Sequence, residues 1–200
     1  MYLNEYFSEM TTIALECGAT IDKYIGDAMM VFFGDPDSKG EREDARACVN
    51  MALRMRDKIS NLQLKWQKQG FSEPFQVRMG MNTGYCNVGN FGSDQRLTYT
   101  IIGSEVNVAQ RLETSAESGG ILMSYETYAH AQDLIEVEQL ESISMKGVNR
   151  EIKVFSVLNE LRERKRKNYA SHTIKTVPER IGDRLDALET KIEEILDRIK

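Results

Sequence analysis

The stretch Thr98-Tyr-Thr-Ile-Ile-Gly-Ser-Glu-Val-Asn-Val-Ala-Gln-Arg-Leu112 decides how this chain is read. Its first five residues are β-branched or aromatic, which suits a strand, and Gly103 separates them from a run with helical character. The pattern predicts a strand over 97–102 and a helix from Glu105 to about Ala116. On that helix Asn107 and Arg111 are four residues apart and share one face. A planar guanidinium fork beside a neutral amide donor suits a phosphate group whose charge rises during reaction. An ordinary solvent-facing helix would also carry these two residues without a role.

Outward from there, Thr20-Ile-Asp-Lys-Tyr-Ile-Gly-Asp-Ala-Met-Met-Val-Phe-Phe33 sets Gly26-Asp27 between two apolar runs. This predicts strands over 20–25 and 28–33 joined by a tight hairpin turn. A carboxylate at the turn tip can reach a divalent cation, a hard ion that prefers oxygen ligands and often bridges protein to substrate phosphates. Lys23 lies on the strand before that turn, where a solvent-facing lysine is equally ordinary. Further strands are expected over 75–82, 84–88, 120–124, 134–139 and 151–158. Leu3, Tyr6, Phe7, Met10, Ile13 and Ala14 recur at helical spacing, as do Ala45, Cys48, Val49, Ala52, Met55 and Ile59 behind an acidic start at Glu41, Glu43 and Asp44. The mix predicts an α+β fold with helices packed on a largely antiparallel sheet.

Six blocks in order, Leu3-Asn-Glu-Tyr-Phe7, Asp22-Lys-Tyr-Ile-Gly-Asp27, Arg78-Met-Gly-Met-Asn-Thr-Gly84, Val88-Gly-Asn-Phe-Gly-Ser93, Tyr99 to Arg111 and Met145-Lys-Gly147, resemble the catalytic domain of class III nucleotidyl cyclases, the adenylate and guanylate cyclases. An ordered series is far more specific than any one short motif. The resemblance implies a ferredoxin-like sheet with helices packed on it. It makes Asp27 the second of two metal-binding aspartates for a pair of Mg²⁺ or Mn²⁺ ions, and Asn107 and Arg111 the pair that stabilises the transition state. Lys23 and Thr100 fall on the purine-reading positions, and Lys146 lies near the basic triphosphate contact. Lys with Thr resembles the adenylate cyclase subgroup in which Thr replaces Asp, whereas guanylate cyclases use Glu with a small polar residue or Cys. The chemistry agrees, because a Lys donor and a Thr hydroxyl suit adenine's ring acceptor and exocyclic amine. The resemblance further implies ATP as substrate, cyclic AMP and pyrophosphate as products, and a homodimer with composite sites. Asp27 would come from one protomer and Lys23, Thr100, Asn107 and Arg111 from the other. A guanylate cyclase, or a noncatalytic regulatory or dimerisation module, are the alternatives.

The family's domains open with a strand resembling Phe-x-Asp-Ile-x-Gly-Phe-Thr, which supplies the first metal aspartate. That amino-terminal strand is absent here, where Met1 stands inside the following helix. The expectation is therefore a fragment, residues 1–158 being a catalytic domain truncated at its amino end, with a gap in the sheet that leaves strand edges open. Two-metal chemistry needs carboxylates bridging ions about 3.5–4 Å apart, so Asp27 alone predicts weak turnover.

The 200 residues are 41% hydrophobic and 28% charged, enough for one domain and an extension, and the net charge of −5 argues against nonspecific nucleic-acid binding. No apolar run approaches the ~18–20 residues that span a bilayer. Cys17, Cys48 and Cys86 lack metal-ligand spacing and fit a reducing, cytoplasmic setting. His130 and His172 suggest only surface or packing roles. Residues 159–178 read as a charged linker around Arg162-Glu-Arg-Lys-Arg-Lys167. In 179–200, Ile181, Leu185, Leu188, Ile192, Ile195 and Ile199 form a seam that suits an amphipathic helix or a short coiled coil.

The single metal aspartate carries a direct expectation. Residues 1–200 alone should yield little or no cyclic AMP from ATP, and appending a Phe-x-Asp-Ile-x-Gly-Phe-Thr strand should restore Mn²⁺-dependent production, read by mass spectrometry. Robust product from the unextended chain would refute it.

Overall fold

A computed structural model describes residues 2–71, 73, 75–145 and 148–161. Chain contacts separate a unit of residues 1–158 from a second of 159–200, of which only 159–161 are described. Lys146, most of the expected linker and the expected carboxy-terminal helix lie outside the described residues.

The two helical stripes of the amino-terminal part form as expected. Helix α1 spans Tyr2–Glu16 and buries Tyr6, Met10, Ile13 and Ala14, while Leu3 stays 41% exposed. Hairpin β1 (Thr20–Ile25) and β2 (Ala28–Phe32) follows, with Ile25 opposite Ala28 across Gly26-Asp27. Gly26 sits at φ 63, the left-handed region that a two-residue turn with glycine first requires. Helix α2 is longer than its expected stripe, running Glu41–Lys68, because its apolar face continues through Leu62 and Trp66. Trp66 is fully buried and donates its indole N–H to Glu5 Oε2 at 2.7 Å. Lys65 also bonds Glu5, and these two hydrogen bonds, Lys65 first, hold the Glu5 carboxyl below its ordinary range. The α1–α2 core thus ends on a satisfied polar contact.

A four-stranded sheet forms the second layer, in the order β3 (Met79–Met81), β6 (Ile121–Ser124), β10 (Val154–Glu160), β7 (Ile135–Gln139). Strand β3 runs parallel to β6, and β10 runs antiparallel to it, so the sheet is mixed. Every residue of β6 is buried because both sheet faces are covered. Ile121 and Met123 face Val49, Ala52 and Leu53 of α2 together with Ala131 of α4 (Tyr125–Ala131). Leu122 faces Val108, Leu112 and Ala116 at the other side, on or just past α3 (Ser104–Ser115). This is the expected α+β arrangement. Hydrogen-bonded strands fall into four ladders rather than one continuous sheet: β1–β2, the four-stranded sheet, β4 (Asn87–Ser93) with β5 (Arg96–Ile102), and β8 (Ile143–Met145) with β9 (Val148–Ile152).

Several local readings differ from the structure, which forms only Met79–Met81 of the strand expected over 75–82 and adds β8 where none was expected. The strand expected over 84–88 lies at Asn87–Ser93, where glycines make poor strand formers but seven consecutive cross-strand partners on β5 hold the ladder. Residues 151–158 are divided between β9 and β10, with Lys153 between them. Helix α4 carries no strong periodic signal, and its packing on α2 and a stacked Tyr128–Phe155 ring pair, 4.3 Å between centroids, hold it in place.

Helix α3 lies on β3 with backbone against backbone at Gly80. A Cβ there would come within 2.2 Å of both the Ala109 carbonyl oxygen and the Glu113 nitrogen. Gly80→Ala should therefore push α3 off the sheet and cost about 1–3 kcal/mol, the usual range for overpacking. Chemical denaturation that shows no loss of stability in Gly80→Ala would refute the close approach.

Candidate functional site

Helix α3 gains its orientation from the buried face and from a polar clamp at its first turn. Val108 and Leu112, four apart, are fully buried, so Asn107 and Arg111, one position earlier in each turn, are turned to solvent. Glu105 accepts from Asn82 Nδ2 at 2.8 Å and from Arg150 Nη2 at 2.6 Å, and Arg150 reaches Glu126 of α4 through Nη1 at 2.6 Å. Asn82 also donates to the Glu105 carbonyl at 3.0 Å. The amino-terminal end of α3 is thereby tied to the segment after β3, to β9 and to α4. The side chains of Asn107 and Arg111 have no hydrogen-bond or ion-pair partner among the described residues, so their donors are open to a ligand.

On the two hairpins the structure unites residues that the sequence separates by 77 positions. Lys23 Nζ donates to Thr100 Oγ1 at 3.0 Å. Thr100 is 6% exposed, while the Lys23 side chain is 42% exposed. The register of β1 on β2 slips between Ile21 and Lys23, leaving Asp22 as an extra residue in the ladder. In a regular strand Asp22 and Lys23 would point to opposite faces; the irregularity lets both reach Thr100. The Asp22 carboxylate is fully buried, accepts from Thr100 Oγ1 at 2.7 Å and the Ile101 amide at 3.3 Å, and lies 3.4 Å from Lys23 Nζ.

Asp27 stands exposed at the β1–β2 turn tip, without a hydrogen-bond or ion-pair partner among the described residues. Its charge acts on Tyr6, whose phenol is pushed up to about 12 chiefly by burial and secondarily by Asp27. Among the described residues no three His, Cys, Asp or Glu side chains cluster as a metal cage. A lone exposed carboxylate does fit Mg²⁺ or a like ion, which takes one or two protein carboxylates and fills its remaining positions with water and substrate phosphates.

The described histidine and two of the three cysteines offer no alternative chemistry. His130 pairs with Glu41 Oε1 at 3.3 Å on the surface. Burial pushes the Cys48 thiol up to about 12, and burial followed by Glu105 raises that of Cys86, so neither is a ready thiolate.

The structure therefore brings Lys23 and Thr100 together and opens Asn107, Arg111 and Asp27 to solvent. Sequence reasoning missed Asp22 and the Glu105–Arg150–Asn82 clamp. An acidic residue between Ile21 and Lys23 in a strand was the available signal for Asp22; nothing local pointed to the clamp.

Residues 1–183 match the family described as the adenylate and guanylate cyclase catalytic domain. The crystal structure of the adenylyl cyclase CyaB from P. aeruginosa is 49% identical, superposes with a TM-score of 0.76, and is covered for 81% of its length by 79% of this chain. That of the guanylyl cyclase Cya2 is 31% identical, with a TM-score of 0.72, over 80% of this chain and 79% of its own. Adenylate cyclase 1 of Rhizobium meliloti is 28% identical over 162 residues, which are 80% of this chain but 24% of that relative. The chain thus spans about a quarter of that relative's length.

Proposed function

The chain belongs to the adenylate and guanylate cyclase catalytic domain family, and on that footing we propose that it serves an adenylate cyclase, converting ATP to 3′,5′-cyclic AMP and pyrophosphate. The observation that carries the choice of base is the Lys23–Thr100 contact at 3.0 Å. A lysine ammonium can only donate, which suits adenine's ring acceptor, and a threonine hydroxyl beside it can accept from the exocyclic amine. The stronger likeness to an adenylyl cyclase, 49% against 31% for the guanylyl cyclase Cya2, supports the same choice.

In the reaction the ribose 3′-hydroxyl gives up its proton to solvent and its oxygen bonds to the α-phosphorus as the bond to the pyrophosphate oxygen breaks. Asn107 orients the ribose, and Arg111 stabilises charge on the transferring phosphoryl group from a solvent-facing helix surface. Lys146 contributes a triphosphate contact. Asp27 is the residue of this chain that would hold Mg²⁺ or Mn²⁺, a cation that would supply neutralising charge to the triphosphate and acidify the hydroxyl.

The working unit in this proposal is a homodimer, with Asp27 from one protomer facing Lys23, Thr100, Asn107 and Arg111 of the other. Exposed apolar side chains on the site-bearing hairpins support it: Tyr24 and Ile25 on β1, and Leu97, Tyr99 and Ile102 on β5, are each 44–62% exposed. Such a patch favours burial against a second copy. No helix among the described residues is long and apolar enough to cross a membrane.

Two experiments on the domain extended by the metal-binding strand test this reading. Arg111→Ala or Asn107→Ala should lower kcat by about 10²–10³ with little change in KM, the usual loss for one donor aimed at developing charge; a mainly raised KM would contradict the role. Asp27→Ala and Arg111→Ala protomers, each nearly inactive, should regain about a quarter of the intact activity when mixed, because half of the randomly exchanged dimers hold one sound site of two. No gain on mixing, with subunit exchange confirmed, would mean that each site is built within one chain.

A further inference from the structure

We propose that Asp22 is a positioning residue that sets base selectivity by locking the Thr100 hydroxyl as an acceptor. The inference rests on the reading of Lys23 and Thr100 as the base-contacting pair and adds what determines their polarity. A hydroxyl has one proton and two lone pairs. At 2.7 Å from Thr100 Oγ1 lies the Asp22 carboxylate, which when ionised can only accept; at 3.0 Å lies Lys23 Nζ, which can only donate. The proton is therefore committed inward to Asp22 and one lone pair to Lys23. A single lone pair is left for a ligand.

That remaining acceptor matches a donor on the base. Adenine presents an exocyclic amine, whereas guanine presents a carbonyl oxygen at the same ring position and an N–H where adenine has a lone pair. Against guanine, the locked hydroxyl meets an acceptor and Lys23 meets a donor, so both contacts fail. A free hydroxyl would rotate and donate to the guanine carbonyl, which removes one of the two penalties. Thr100 by itself is thus indifferent to the base, and Asp22 makes it selective.

The surroundings keep Asp22 in this role. Its side chain is fully buried, Oδ2 is held in addition by the Ile101 amide at 3.3 Å, and the strand irregularity beside Ile21 and Lys23 is what turns it toward β5. Its other oxygen, Oδ1, makes no hydrogen bond and is 3.4 Å from Lys23 Nζ, so the charge also anchors the lysine beside the hydroxyl. Burying a carboxylate is costly, and this one sits behind the contact pair without being exposed to a ligand. It acts through Thr100 and Lys23.

Calorimetric titration of the 200-residue chain with ATP and with GTP, in Mn²⁺, tests the proposal without requiring turnover. The unsubstituted chain should prefer ATP. Asp22→Ala should cut the ATP-to-GTP affinity ratio by about three- to tenfold, the factor for one hydrogen bond. Asp22→Asn, which keeps an oxygen facing Thr100, should retain most of the ratio, and Asp22→Ala added to Thr100→Ala should change it by clearly less than Asp22→Ala does alone, the remainder being its effect on Lys23. An unchanged ratio in Asp22→Ala, or an equal fall in the Thr100→Ala background, overturns the role of Asp22 while leaving the adenine reading intact. Preference for GTP, or binding of neither nucleotide, by the unsubstituted chain overturns the adenine reading and the role of Asp22 with it. A measurement independent of any substitution is the Thr100 hydroxyl proton by NMR. Bonded to a buried carboxylate, it should exchange slowly enough with water to be observed, and rapid exchange would overturn the lock.

Discussion

Backbone contact between helix α3 and strand β3 is the constraint from which the candidate site follows. With Gly80 under Ala109 and Glu113, no side chain separates the helix from the sheet. That approach lets Val108 and Leu112 reach Leu122 and Val154 of the sheet and Ile152 of β9. Once those two residues point inward, the 100° step of the helix leaves Asn107 and Arg111 no orientation but outward. Burial on one side thus places donors on the other. The Glu105–Arg150 ion pair at 2.6 Å then fixes the helix where it leaves Gly103, so that the outward face keeps one position relative to the hairpins.

Polar groups join the two hairpins. Asp22 is a buried carboxylate with one lysine and two hydrogen-bond donors around it, and each partner is needed to offset its desolvation. Such a cluster contributes less to stability than well-packed hydrophobic residues would, but it fixes direction. A hydroxyl between an ammonium and a carboxylate has no freedom over where its proton lies. The apolar surface around it, Tyr24, Ile25, Tyr99 and Ile102, is left exposed on the same two hairpins.

Much of this was legible in the residues because it depends on local rules. Asn107 and Arg111 share a face by helical spacing alone, and Gly26-Asp27 makes a turn tip because glycine supplies the positive φ that a two-residue hairpin needs. The stripes of α1 and α2 likewise follow from which residues water excludes. Where local and distant preferences conflicted, the distant ones won: β4 keeps its ladder through Gly89 and Gly92 because β5 pairs along its whole length, and α4 is helical because α2 and Phe155 pack on it.

The sequence by itself determined the period of helices α1, α2 and α3, the turn that carries Asp27 and the helix face that carries Asn107 and Arg111, since each depends on neighbours within a few residues. Only the tertiary structure decided that Lys23 meets Thr100 across 77 positions, that Asp22 lies behind them both, and that Glu105, Asn82 and Arg150 clamp α3. Those contacts depend on a register slip in one hairpin and on the docking of distant elements. Strand periodicity alone would have sent Asp22 and Lys23 to opposite faces. The physical reason is that a buried polar group takes whatever partner the packed fold brings within hydrogen-bond reach, and that distance is set by packing, not by spacing along the chain.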